Sequence, residues 1–194
     1  MASLGVLASG SGTILQALVD DGLPIAAVVV DRPCTAMERA RAAGIPVELV
    51  ERTSFGADFD RLAFTHRIVD ALKRHDIDLV AMAGFMTVLD QPVHDAFPHR
   101  ITNTHPSLLP AFKGAHAVAD ALDAGVKVTG CTVHFATLIV DEGPILAQEA
   151  VPVLPDDTTE TLHERIKVVE RRLYPSVLRD LLERVDETGN VRDG

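Results

Sequence analysis

Asn103 and His105 stand two residues apart in the stretch Ile101-Thr102-Asn103-Thr104-His105-Pro106-Ser107-Leu108-Leu109-Pro110. On a β-strand the period of two puts both side chains on one side. An amide there can donate to a developing oxyanion, and an imidazole can move a proton near neutral pH. Pro106 and Pro110 would hold the following loop in one shape. A lone histidine near a strand end is more often structural than chemical, so the pair does not by itself fix a reaction. Asp141, in Val140-Asp141-Glu142-Gly143-Pro144, reads as a turn carboxylate or as an acid that orients His105 and favours its charged form. Spacing alone cannot bring it to His105.

A second chemical signal is the turn Ser9-Gly10-Ser11-Gly12-Thr13, which follows an apolar run and opens a helix. Backbone N–H groups and a positive helix end face an anion in that setting, and Ser11 and Thr13 add hydroxyl donors. A dinucleotide fingerprint would place glycine or alanine three positions after Gly12, where Leu15 stands. Asp31 does end the next strand, as a ribose-binding acid would. Half of the fingerprint is met, and a phosphate site without a dinucleotide is the better reading.

The elements that must position these groups follow from hydrophobic periodicity. Strands are expected at Leu4–Ala8, Ile25–Val30, Val47–Val50, Leu79–Ala83, Ile101–Thr104, Val128–Phe135 and Ile145–Val153. Helices are expected at Ile14–Val19, Thr35–Ala43, Asp58–His75, within Gly84–His99, at Ala115–Leu122, and from Thr158 to about Val185. The third helix carries the stripe Phe59, Leu62, His66, Val69 and Leu72. Asp157 and Glu160 are expected to cap the last helix, whose stripe is Leu162, Ile166, Val169 and Leu173. Alternating strands and helices imply an α/β fold: a mostly parallel twisted sheet with helices on both faces and a Rossmann-like first half, with added C-terminal strands and a long final helix. Residues 1–185 read as a single domain and 186–194 as a flexible tail.

Composition narrows the class. The 194 residues carry a net charge of −10, which disfavours general nucleic-acid binding. No apolar run approaches the roughly 18–20 residues of a membrane span, the longest being Pro24–Val30. Cys34 and Cys131 form no CxxC pair and read as reduced thiols of a cytoplasmic protein. His66 reads as structural, and His75, His94, His99 and His163 as surface residues. No histidine pair has metalloenzyme spacing, and no metal is expected.

Taken together and in order, several segments resemble the folate-dependent phosphoribosylglycinamide formyltransferases. They are Ala8 to Thr13, Ala83-Gly84-Phe85-Met86, Asn103 to Pro110, Lys113-Gly114-Ala115-His116, Gly130 to His134 and Asp141-Glu142-Gly143-Pro144-Ile145. The resemblance runs from Leu4 to about Leu182. It implies formyl transfer from 10-formyltetrahydrofolate to the amine of glycinamide ribonucleotide, with Asn103, His105 and Asp141 as the catalytic triad. It implies substrate phosphate on Gly10, Ser11, Gly12 and Thr13 with Arg61 nearby, and Glu170 at the glycinamide end. Folate would lie against Phe85, Met86, Val88, Leu89, Arg100 and the loop Ala136, Thr137, Leu138, Ile139 and Val140. His116 and His134 would neighbour the substrates. Many members carry asparagine where this chain has Ile14, whose side chain cannot donate to phosphate. Relatives that formylate methionyl-tRNA would need a further C-terminal domain and basic surface, and formyltetrahydrofolate hydrolases an added N-terminal domain. A catalytically silent nucleotide-binding protein is opposed by the joint presence of the three triad residues. A homodimer is left open.

Overall fold

Every residue of β1 (Leu4–Ala8) is buried, as a strand covered on both faces must be. The computed structural model describes residues 2–185; the expected tail 186–194 lies outside the described residues. β1 pairs in parallel with β2 (Ile25–Val30) on one side and β4 (Leu79–Met82) on the other. β3 (Val47–Leu49) joins β2, and β5 (Ile101–His105) joins β4, again in parallel. β6 (Val128–Phe135) and β7 (Ile145–Pro152) then continue the same sheet in antiparallel register. The result is a seven-stranded sheet in the order β3-β2-β1-β4-β5-β6-β7. The winding reverses between β1 and β4, and the carboxyl ends of these strands open the crevice where α/β sheets bind ligands.

Side-chain alternation along β1 divides the core in two. Leu4, Val6 and Ala8 pack with α1 (Thr13–Asp20), α2 (Thr35–Ala42) and α6 (Thr159–Arg184). Leu7 faces the other way, toward α3 (Arg61–Arg74) and α4 (Gln91–Ala96). α5 (Ala117–Asp123) completes a smaller cluster with β6, β7 and α6. The helices therefore lie on both faces, as expected. No helix among the described residues is long and apolar enough to cross a membrane.

Two local expectations are corrected. In α3 the buried stripe is Phe64, Ile68 and Leu72 with Thr65 and Val69, while Leu62 and His66 are exposed. The Asp60 carboxylate accepts the Ala63 N–H and starts the helix there. Phe59 precedes the helix, under the Arg52 guanidinium at 4.2 Å. In α6 the cap is Thr158, whose hydroxyl and that of Thr161 reciprocally satisfy each other's backbone N–H groups. Asp157 is instead held by Arg165 at 2.7 and 2.8 Å.

Candidate active site

The glycine turn leaves β1 at the crevice. Ser9 ties it to the turn after β4, its N–H donating to the Gly84 carbonyl at 3.3 Å and its hydroxyl accepting the Met86 N–H at 2.9 Å. Gly12 is the α1 N-cap with φ +69°, and a Cβ there would lie 2.8 Å from Ala36 Cα. Its glycine is therefore demanded by helix packing and backbone conformation, whatever binds the turn. Gly10 has no atom within 4 Å of its would-be Cβ. Ile14 turns into the core and leaves the outer surface of the turn to backbone N–H groups. Arg39 on α2 donates to the Ser11 carbonyl at 2.9 Å, which sets a cation beside the turn; an i,i+4 helix pattern gives no sign of that contact. Asp31 is fully buried and its carboxylate accepts from Thr87 at 2.7 Å and from Arg32 at 3.0 and 3.1 Å. Burial pushes its pKa up, but the hydrogen bonds from Arg32, Thr87 and Ser9 outweigh this and hold it below the usual carboxylate range. Those partners engage both of its oxygens within the protein.

Asn103 and His105 lie on the same side of β5 near its carboxyl end, while Thr102 and Thr104 face α6. His105 is 5% exposed. Its Nε2 is 2.7 Å from the Phe112 carbonyl oxygen and so must carry a proton to donate. The loop 106–112 that brings Phe112 back is fastened to β6 and β7. Leu109 N–H donates to the Thr132 hydroxyl at 3.0 Å, Thr132 donates to the Ser107 carbonyl at 2.7 Å, and Gln148 donates to the Leu109 carbonyl at 2.8 Å.

Asp141 reaches the same place through the β6–β7 connection. That connection doubles back so tightly that a Cβ on Gly143 would lie 1.7 Å from the Phe135 carbonyl oxygen. Asp141 itself adopts φ +58°, a left-handed conformation that aspartate tolerates better than most residues. Its Oδ2 accepts the Gly114 N–H at 2.8 Å and lies 3.4 Å from His105 Nδ1. Lys113 and Glu142 pair at 2.8 Å and join the two loops at their outer side.

His134 completes the cluster, since β6 registers it directly opposite Asn103. It is 1% exposed. Nδ1 lies 2.9 Å from the Phe135 carbonyl and donates to it, so Nε2 of the neutral ring accepts from Asn103 Nδ2 at 3.4 Å. The same Nε2 is 3.7 Å from Asp141 Oδ1. Burial pushes the His134 pKa below its ordinary value, against the opposing pull of the Phe135 carbonyl and Asp141. The ring is neutral at physiological pH and holds the Asn103 amide by its nitrogen. His134 thus belongs to the cluster itself.

The cluster closes one end of a cleft of about 590 Å3, its open mouth included. Phe85, Met86, Val88, Leu89, Ala136, Thr137 and Val140 line it with Asn103, His134 and Asp141. Thr87, Val93 and His94 also line it; the expectation of a surface His94 is corrected, since α4 turns it to the cleft, and no local pattern marks Thr87 or Val93. Leu138 and Ile139 stand outside it, 49% and 62% exposed. Arg100 is not brought to the cleft. It precedes β5 at the opposite end of the strand, where its guanidinium donates to the Asp78 and Ala96 carbonyls and lies over Phe97. Glu170 hydrogen-bonds Thr104 on the α6 face, across β5 from Asn103. Burial pushes its pKa up, partly opposed by that hydrogen bond. Arg61 is exposed at the first turn of α3, and no described contact joins it to the glycine turn. His116 is exposed at the α5 N-cap, outside the histidine–aspartate cluster.

Comparison with known proteins matches this architecture. A family model described as formyl transferase matches residues 3–178. Phosphoribosylglycinamide formyltransferase of Mycobacterium tuberculosis is 50% identical over 177 residues, covering 89% of this chain and 81% of that protein. The Bacillus subtilis protein of the same name is 39% identical over 189 residues, covering 94% of this chain and 95% of that one. The crystal structure of glycinamide ribonucleotide transformylase 1 from Symbiobacterium toebii superposes with a TM-score of 0.89 at 46% identity, covering 99% of this chain and 93% of that one.

Proposed function

The chain belongs to the formyl transferase family, and on that premise we propose that it transfers the formyl group of 10-formyltetrahydrofolate to the primary amine of 5'-phosphoribosylglycinamide in purine biosynthesis. The amine nitrogen bonds to the formyl carbon, the bond from that carbon to folate N10 breaks, and the proton lost by the amine ends on N10. The products are the N-formyl ribonucleotide and tetrahydrofolate.

The observation that carries this reading is the His105 Nδ1–Asp141 Oδ2 approach of 3.4 Å beside Asn103, at one end of an apolar cleft. The Asn103 amide, steadied by His134, donates to the oxygen of the formyl group as negative charge develops there. His105 has its Nε2–H committed to Phe112, so Nδ1 is its working atom; protonated, it faces the same oxyanion with Asp141 offsetting its charge. Asp141 is the carboxylate of the cluster and can accept the proton that must leave the attacking nitrogen.

The cleft fits a flat folate ring. Its walls are largely apolar, with Asn103, His134 and Asp141 at the cluster and Thr87, His94 and Thr137 as the other polar lining residues, and its size lies in the range of roughly 300–1,000 Å3 usual for small-molecule sites. The ribonucleotide is assigned to the other face. Gly10, Ser11, Gly12 and Thr13 lead into α1, and Glu170 projects from α6, which packs on α1. In this arrangement the two substrates approach from opposite faces of the sheet and meet over the end of β5. Arg39 supplies positive charge for the incoming phosphate in an otherwise acidic protein, whereas Arg61, on α3 at the opposite face of the sheet, is left out of the phosphate set. Arg100 is left out of the folate set, because its side chain is engaged at the far end of β5. Residues 1–185 act in this reading as one formyltransferase domain, and the free thiols of Cys34 and Cys131 suit a cytoplasmic setting.

The test is formyl transfer from 10-formyl-5,8-dideazafolate to glycinamide ribonucleotide, followed by the absorbance of the deformylated folate and by mass of the nucleotide. Turnover with one formyl group gained is expected. Folded protein that leaves the ribonucleotide unformylated overturns the reading.

A further inference from the structure

α4 packs Val93 into the core and sets the adjacent His94 in the wall of the cleft. The same cleft is lined by the apolar residues Met82, Leu89, Val93 and Ile101, which pack in one core cluster. His94 is half-buried, and its environment consists of burial and the charges of Asp95 and Asp90, with no hydrogen bond from a described residue. The imidazole is therefore unlike the other polar groups of the cleft. Asn103, His134 and Asp141 are tied to one another, and Thr87 is tied to Asp31.

We infer that His94 reads a nitrogen-bearing edge of the folate ring system and is a specificity-determining residue of the cleft. This rests on the proposed use of the cleft for the formyl-folate. Apolar walls select a flat ring by shape alone and accept a carbocyclic ring equally well. One donor and one acceptor set in such a wall change that, because a ligand without the matching atoms leaves them unpaired. Burial pushes the His94 pKa below its ordinary value, with Asp95 and Asp90 opposing, so the ring presents one N–H and one lone pair at neutral pH. A neutral heterocycle rich in both kinds of group is the ligand chemistry this suits; a cation in the wall would suit an anion instead.

Two variants separate hydrogen bonding from shape. His94→Phe keeps a flat ring and removes both polar atoms, whereas His94→Gln keeps a donor and an acceptor on a different shape. Calorimetric titration with tetrahydrofolate should show about three- to tenfold weaker binding for His94→Phe, and His94→Gln should return to within about twofold of the parent. The KM for glycinamide ribonucleotide should stay unchanged in both. Tetrahydrofolate binding by His94→Phe as tight as in the parent overturns the inference, and so does a glutamine variant as weak as the phenylalanine one. A parent protein that does not bind tetrahydrofolate overturns the folate reading of the cleft and this inference with it. A parent that binds tetrahydrofolate but formylates nothing overturns the proposed reaction and leaves the role of His94 standing.

Discussion

His105 directs Nδ1 toward Asp141 Oδ2 at 3.4 Å while its Nε2 sits 2.7 Å from the Phe112 carbonyl. A carbonyl oxygen can only accept, so Nε2 keeps its proton in both charge states, and the proton that comes and goes is on Nδ1. The backbone has thereby chosen which imidazole nitrogen faces the carboxylate and the cleft. Asp141→Asn should preserve the fold, because asparagine tolerates the left-handed φ of +58°. It should lower kcat by about 10²-fold or more with little change in folate KM. His105→Ala should cost at least as much, and the double variant far less than the product of the two, since both serve one transition state. Steady-state kinetics of the three variants decide this; near-normal kcat in either single variant removes that residue from the mechanism.

Gly10 and Gly12 should separate binding from packing. Gly12→Ala drives a Cβ to within 2.8 Å of Ala36 Cα at φ +69° and should cost about 2 kcal/mol or more of stability. Gly10→Ala meets no atom within 4 Å, so its melting temperature should match the parent while KM for the ribonucleotide rises and folate binding does not. Thermal melts paired with both KM values check this. Folate binding weakened as much as ribonucleotide binding would show that the turn is not a dedicated phosphate site.

His134 should titrate below an ordinary histidine, because burial disfavours its charged form. Its unfolded state then binds more protons around pH 6, so its contribution to stability is complete above the ordinary value near 6.5 and is lost as pH falls through the lower folded value. Protonation also places N–H on Nε2, where Asn103 now donates. Activity should fall over the same acid range through kcat. Histidine ring NMR resolves the titration. His134→Ala should lower kcat by about tenfold and abolish that acid limb; an unchanged limb would assign it elsewhere.

Glu170 carries the opposite sign. Burial raises its pKa from 4.5, so the folded state holds this proton more tightly than the unfolded chain does, and stability falls as pH rises from the unfolded value through the folded one. Glu170→Gln should therefore raise the melting temperature at pH 7 to 8 and make no difference near pH 4. In the proposed role it should also raise KM for the ribonucleotide. Melting curves at the two pH values test the first point; a stabilisation as large at pH 4 would show that charge burial is not its cause.

The strands and most helices were legible in the sequence because a sheet covered on both faces writes continuous apolar runs, such as Leu4–Ala8, and its helices write a repeat of three and four. The Asn103/His105 pair was legible too, because a strand's period of two is a local rule. Where the sequence misled, the deciding contact was distant. Arg100 stands only three residues before Asn103 in the chain, yet strand direction carries it to the other end of the sheet, against Asp78 and Ala96. His94 and Arg39 sit in unremarkable helical segments, and only packing reveals one in the cleft and the other against the glycine turn. Residue 141 could be tied to residue 105 by resemblance but not by spacing. What joins them physically is the antiparallel register of β5 and β6, which sets His134 opposite Asn103, and the reversal at Gly143, which folds Asp141 back over that pair. Local periodicity decides which faces are apolar and which residues share them. The approach of groups tens of residues apart depends on hydrogen-bond register and close backbone packing, and only the tertiary structure decides those.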